Sequence, residues 1–119
     1  MKNENVLLEK SYSFSIRIIK LERVLNNKSE YHISRQLLRS GTSIGANAEE
    51  ANGCFTKKDF LSKMSISYKE ARETRYWLRL LKETDLLPKD QVNSVLNDCE
   101  ELLRILGSII KTIKSKPLK

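Results

Sequence analysis

One run in the second half of the chain narrows the possible folds more than any other feature. Phe60, Met64, Ser67, Ala71, Thr74, Leu78 and Leu81 recur at spacings of four, three, four, three, four and three. Side chains at these intervals form one stripe along an α-helix, and a stripe repeating every seven residues is the seam of a helix bundle. A strand cannot use this pattern, because its side chains alternate with period two. The flanking segments fit the same frame. Leu7, Phe14, Ile18, Leu21 and Leu25 mark one helical face, with Tyr12, Ile19 and Val24 beside it and Arg17, Lys20 and Arg23 opposite. Near the C-terminus, Val92, Val95, Leu96, Cys99, Leu102, Leu103, Leu106, Ile109, Ile110 and Ile113 make a wide apolar stripe.

The segment between the first face and the seam is unusual. Gln36 to Gly53 reads QLLRSGTSIGANAEEANG, rich in small residues where its neighbours carry Leu, Ile, Lys and Glu. A glycine inside a helix costs roughly 1 kcal/mol relative to alanine. Yet Ile33, Leu37, Gly41, Ile44, Ala48, Ala51 and Phe55 keep the helical spacing. A helix that holds its register while losing side-chain volume is one that other elements approach closely. The third helix is expected to fill that room with its Tyr, Trp and Glu side chains.

Turn signals divide the chain into helices over 5–27, 30–52, 57–84 and 88–115. Ser29 is the expected N-cap of the second helix, and Tyr31–Ser34 could be helix, loop or turn. Gly53 suits the left-handed position that follows a helix, and Thr56 with Asp59 suits the start of the third. Pro88 fits the first turn of the fourth helix and Pro117 its end. Short connections make an all-α, antiparallel, up-down-up-down four-helix bundle the simplest topology, with residues 1–119 as one domain.

Composition agrees. With 39% hydrophobic and 31% charged residues in 119, the chain can bury one core. No apolar run reaches the roughly 20 residues needed to cross a bilayer. Acids stand in the N-terminal MKNENVLLEK where a signal peptide would be apolar. Cys54 and Cys99 are too few for a disulfide scaffold, which points to reduced thiols and a cytoplasmic location.

The third helix has two flanks beside its seam. Tyr68, Arg72, Arg75, Arg79 and Lys82 line one; Ile66, Glu70, Glu73, Trp77 and Leu80 line the other. The second flank is either ordinary surface, with its glutamates paired to nearby cations, or a second buried face in which Trp77 meets another subunit. Arg39 and Asn47 are the candidate partners of the glutamates.

Together, QLLRSGTSIGANAEEA and KKDFLSKMSISYKEARETRYWLRLL resemble the bacterial four-helix bundle family that includes 23S rRNA intervening-sequence proteins. The resemblance rests on Arg39-Ser40, Ser43-Ile44, Asn47 and Glu50 in one helix. In the next it rests on Asp59-Phe60, Lys63, Lys69-Glu70, Glu73 and Tyr76-Trp77-Leu78. Gly45 departs from the family's usual proline or alanine, and Ala51-Asn52 from a closing Glu-Gly. The resemblance extends to the accessory variability proteins of diversity-generating retroelements. It implies a homo-oligomer, a pentameric ring by preference, that binds nucleic acid beside a reverse-transcriptase-like partner. Arg39, Ser43, Asn47, Glu50, Glu70, Glu73, Tyr76 and Trp77 would then be the structural and assembly motif. A ring needs two different patches per subunit, and the Glu/Trp flank could supply one.

Charge bears on function directly. The net charge is +7, unevenly placed. Residues 57–83 carry eight basic and four acidic residues; 84–103 carry one and five; 104–119 carry five and none. Lys57, Lys58, Arg72, Arg75, Arg79, Lys82, Lys111 and Lys114 are therefore the candidate contacts to RNA or DNA, bound without sequence preference. A protein–protein scaffold with incidental basic charge is the alternative. Membrane-surface binding through ILGSIIKTIKSKPLK is a weaker one, lacking an interfacial aromatic.

Nothing suggests catalysis. His32 is the only histidine, GTSIGA is neither a nucleophile elbow nor a phosphate loop, and a bundle-type carboxylate metal site needs two Glu-x-x-His pairs. No metal or cofactor is implied.

Overall fold

The computed structural model describes residues 2–116; Pro117, expected to end the last helix, lies outside them with Leu118 and Lys119. Four helices follow in order: α1 (Lys2–Asn27), α2 (His32–Asn52), α3 (Lys57–Glu83) and α4 (Lys89–Ser115). Each packs on the next, and α1 also packs on α4, with no contact across the diagonals among the described residues. This is an up-down-up-down bundle, 52 × 20 × 19 Å.

The seam residues explain the packing. Met64, Ser67, Ala71, Thr74, Leu78 and Leu81 of α3 are all buried, and Phe60 partly so. Leu7, Phe14, Ile18, Leu21 and Leu25 of α1 meet them in one core with Leu37 and Ile44 of α2 and Val92, Leu102 and Leu106 of α4. Burying an aliphatic side chain of this kind contributes about 1.5–3 kcal/mol. The polar seam positions bond across helices. Ser67 Oγ donates to the Ile44 carbonyl at 2.8 Å, and the Thr74 and Ser40 hydroxyls share a hydrogen bond of 2.8 Å.

The small residues of α2 face a different neighbour from the one expected. Gly41 lies against α1, where a Cβ would come within 2.8 Å of Ile18 Cγ1. Gly45 also faces α1, where a Cβ would stand 3.3 Å from the Ser11 carbonyl oxygen. The Ser40 hydroxyl and the Ile44 carbonyl, by contrast, bond to α3. The glycines thus let α1 approach. They do not make room for the Tyr, Trp and Glu side chains of α3.

Chain ends of the helices bring further differences. Ser29 is no N-cap: it sits at φ 61° as the left-handed residue closing α1. Its amide donates to the Asn26 carbonyl at 3.0 Å and that of Glu30 to the Leu25 carbonyl at 2.9 Å, the two bonds of a Schellman ending. Helix α2 starts at His32, and the Glu30 carboxylate accepts from the Ile33 amide at 3.0 Å. Gly53 stays right-handed at φ −93°, so its expected left-handed role is not used. Phe55 leaves the helical period altogether and is fully exposed in the α2–α3 connection. Thr56 does cap α3, accepting from the Asp59 amide at 3.1 Å. Pro88 stands just before α4, at φ −55°, one residue ahead of its first turn.

Candidate functional site

The two flanks of α3 turn to different helices. The Glu70/Glu73/Trp77 flank meets α2. Arg39 bonds Glu70 at 3.2 Å and also Glu73, while its second nitrogen reaches Gln36 Oε1 at 3.1 Å. Trp77 Nε1 donates to the same Glu73 oxygen at 3.0 Å, and the Tyr76 and Trp77 rings meet edge to face at 5.3 Å. Farther along, Lys63 pairs with Glu50 at 2.6 Å; this bond and the nearby charge raise the Lys63 pKa above its usual value. An early α2 residue thus meets late α3 and a late α2 residue meets early α3, which fixes the antiparallel register. Two α2 residues of the motif stay within their own helix. Ser43 donates to the Arg39 carbonyl at 2.6 Å, and Asn47 donates to the Ser43 carbonyl at 2.9 Å, so Asn47 is not a partner of the glutamates.

These pairs are partly solvated: the Arg39 side chain is 50% exposed. Ion pairs in that setting contribute about 0–1 kcal/mol each. Their geometry fits alignment of helices better than chemistry.

The basic flank meets α4. Near the end of α4, Tyr68 and Lys69 of α3 and Gly107, Ile110, Lys111 and Lys114 of α4 line a groove of about 680 Å³. Ser65 and Ser115 complete it, and no acid lines it. Lys57 lies at the same end, its Nζ donating to the Lys116 carbonyl at 2.9 Å. Lys58 is exposed at the start of α3. Arg79 and Lys82 line a separate groove with Tyr76, where Glu83 and Glu100 offset their charge. Arg72 is exposed, and Arg75 lies close enough to Cys99 to influence it. None of Arg72, Arg75 and Arg79 lines the groove that holds Lys111 and Lys114.

Among the described residues, none of the eight candidate contacts is held in an ion pair. Arg17, Lys10, Arg39, Lys63 and Lys89 are, with Asp98, Glu101, Glu70 and Glu73, Glu50 and Asp85 respectively. Arg17, placed by its spacing on the solvent side of α1, in fact bonds Asp98 at 2.6 Å and Ser94 Oγ at 3.0 Å on α4. Sequence reasoning had no place for Lys69 and Gly107 in a shared groove. The available signal was a glycine inside the apolar stripe of α4.

The cysteines differ. Cys99 is buried between α3 and α4, its Sγ 3.4 Å from the Ala71 carbonyl. Burial pushes its pKa up to about 12, with Arg75 opposing and Glu100 adding to the shift. Cys54 is half-buried and near the Glu50 carbonyl, at 3.4 Å. Among the described residues, no cluster of three or more His, Cys, Asp or Glu could hold a metal ion, and no helix is long and apolar enough to cross a membrane.

Comparison with known proteins agrees with this architecture. A crystal structure of a protein of unknown function from the S23 ribosomal protein family of Bacteroides thetaiotaomicron superposes with a TM-score of 0.88. It is 44% identical to this chain, over 92% of this chain and 98% of its own length. No match is found among curated proteins. Residues 3–108 match the model of one family, and the chain belongs to it: the 23S rRNA-intervening sequence proteins.

Proposed function

We propose that this non-enzymatic helical bundle is a homo-oligomeric, RNA- or DNA-binding protein of the cytoplasm, associated with rRNA and binding without sequence preference. One observation carries the reading. Apart from Lys63, the basic residues of α3 and of the end of α4 are free of ion pairs among the described residues, and three lysines share a groove that no acid lines. Unpaired cations on a shared surface attract a polyanion, and their release of counterions makes the affinity fall with salt. The name of the family, the 23S rRNA-intervening sequence proteins, points in the same direction.

A ring of five is the favoured assembly. Exposed apolar side chains on two helices support it: Tyr12, Ile16 and Ile19 at helical spacing on α1, and Ile66 and Tyr76 at separate positions on α3, with Phe55 in the α2–α3 connection. A head-to-tail contact between unlike patches closes into a ring when the rotation permits. The same side chains favour the second reading, a scaffold for another protein without a nucleic-acid role. A reverse-transcriptase-like partner belongs to the first reading and rests on sequence resemblance alone.

Binding of random-sequence RNA across a salt series separates the two readings. The first expects affinity to drop steeply with salt, and the triple change Arg72→Glu, Arg75→Glu and Arg79→Glu to abolish binding. Absent or salt-insensitive binding supports the scaffold. Light scattering at micromolar concentration gives the mass; a monomer would rule out the ring.

A further inference from the structure

Gly107 stands in the middle of α4, where a glycine weakens the helix by roughly 1 kcal/mol relative to alanine. Tight packing does not require it. A Cβ there would meet Tyr68 Cε1 at 3.8 Å, an ordinary contact, whereas the one at Gly41 would collide with Ile18 at 2.8 Å. What the missing side chain leaves is the floor of the α3–α4 groove. Tyr68 and Ile110 line this floor, and Lys69, Lys111 and Lys114 stand around it. Its volume of about 680 Å³ is within the ~300–1,000 Å³ usual for a small-ligand site.

We propose that this groove seats one unpaired nucleotide of a bound single strand, its base on the Tyr68–Ile110 floor and its flanking phosphates on Lys69, Lys111 and Lys114. An apolar floor ringed by lysines and two serines, with no acid among them, matches a ligand that is flat and apolar in one part and anionic in the next. Single-stranded nucleic acid has that character at every residue, and proteins that bind it combine a basic groove with an aromatic surface for the base. A duplex keeps its bases stacked inside and offers the groove only phosphates. Lys111 and Lys114 are three residues apart, about 4.5 Å along the helix axis, and so present two charges on one side of the groove. The assignment rests on the nucleic-acid reading above and adds to it a place and a preference for single strands.

The test uses the full chain with a fluorescein-labelled, mixed-sequence single-stranded RNA and the same RNA as a duplex, read by anisotropy at low salt. The wild type should bind the single strand more tightly. Gly107→Leu fills the floor from the solvent side and should weaken single-strand binding by about fivefold or more, the loss of one stacked base, with duplex binding unchanged. Gly107→Ala leaves the groove open and should bind as the wild type does. Should Gly107→Leu fail to fold, crosslinking of wild-type protein to the RNA carrying 5-iodouridine decides, and the adduct should map to Tyr68. Unchanged single-strand affinity in folded Gly107→Leu, or adducts only outside the groove, overturns the groove assignment and leaves general nucleic-acid binding standing. Failure of the wild type to bind either RNA at low salt overturns both.

Discussion

The α1–α2 and α3–α4 contacts both have glycine on a helix face, and the glycines do opposite things. At Gly41 and Gly45 the neighbouring helix has moved into the space: Ile18 and Ser11 occupy it. At Gly107 the neighbour has not, and a groove with three lysines remains. Sequence spacing treats the two cases alike, since all three glycines fall within helical stretches. The meaning of a helix glycine is decided by what stands opposite. A β-branched side chain already buried there makes the glycine a requirement of packing, while an aromatic ring at ordinary contact distance makes it an opening.

Substitutions probe this contrast directly, beginning with the largest expected effect. Gly41→Leu should destabilise the bundle by about 1–3 kcal/mol or prevent folding, because the stiff Ile18 side chain has nowhere to go. Urea unfolding measures it, and an unchanged midpoint would mean that the α1–α2 contact is not the tight one. Gly107→Ala should have the opposite sign and raise stability by about 0.5–1 kcal/mol, since the helix gains a better residue without a clash. A loss of stability there would erase the distinction between the two contacts. Arg39→Ala, in the solvated α2–α3 pairs, should cost about 0–1 kcal/mol in thermal unfolding. A much larger loss that grows on dilution would show that the cluster also lies against a second subunit. Cys99 should change nothing at neutral pH. Its folded-state pKa, raised from 9.0 to about 12, means that the neutral thiol is favoured by folding. That stability is complete below pH 9 and is lost as pH rises towards 12, because the unfolded chain releases the proton first. Comparison of pH-stability profiles with those of Cys99→Ala isolates the effect; identical alkaline limbs would contradict it.

The bundle was legible because its seam is periodic: six of the seven positions from Phe60 to Leu81 are fully buried. The pairing of Arg39 with Glu70 and Glu73 was also within reach, as unlike charges stood on faces of consecutive helices. The partner of the small residues was not. Helical spacing gives the direction in which Gly41 points around its own axis but not which of two flanking helices lies there. Asn47 illustrates a second limit. Its amide bonds to a carbonyl four residues back, a local option open to any Asn in a helix and invisible as a choice in sequence. Ser29 and Phe55 show a third. Both sit in connections where one backbone dihedral decides whether a side chain caps, packs or faces water. The α3–α4 groove combines these difficulties, since Lys69 and Lys111 stand on consecutive helices far along the chain from the connection that joins them.

The order in which the helices neighbour one another has a kinetic side. Contacts between α1 and α2, α2 and α3, and α3 and α4 each close a short connection, so most of the structure forms between segments that are near in the chain. Chains of that kind rank among the faster folders. Joining α1 to α4 is different, because it closes a loop that spans two intervening helices. The extra entropic cost grows only with the logarithm of loop length, yet it is met after the local pairs have formed. Arg17 and Asp98, which bond across that junction, should therefore be unformed when the rate-limiting barrier is crossed. Weakening them would hasten unfolding and leave the folding rate nearly untouched.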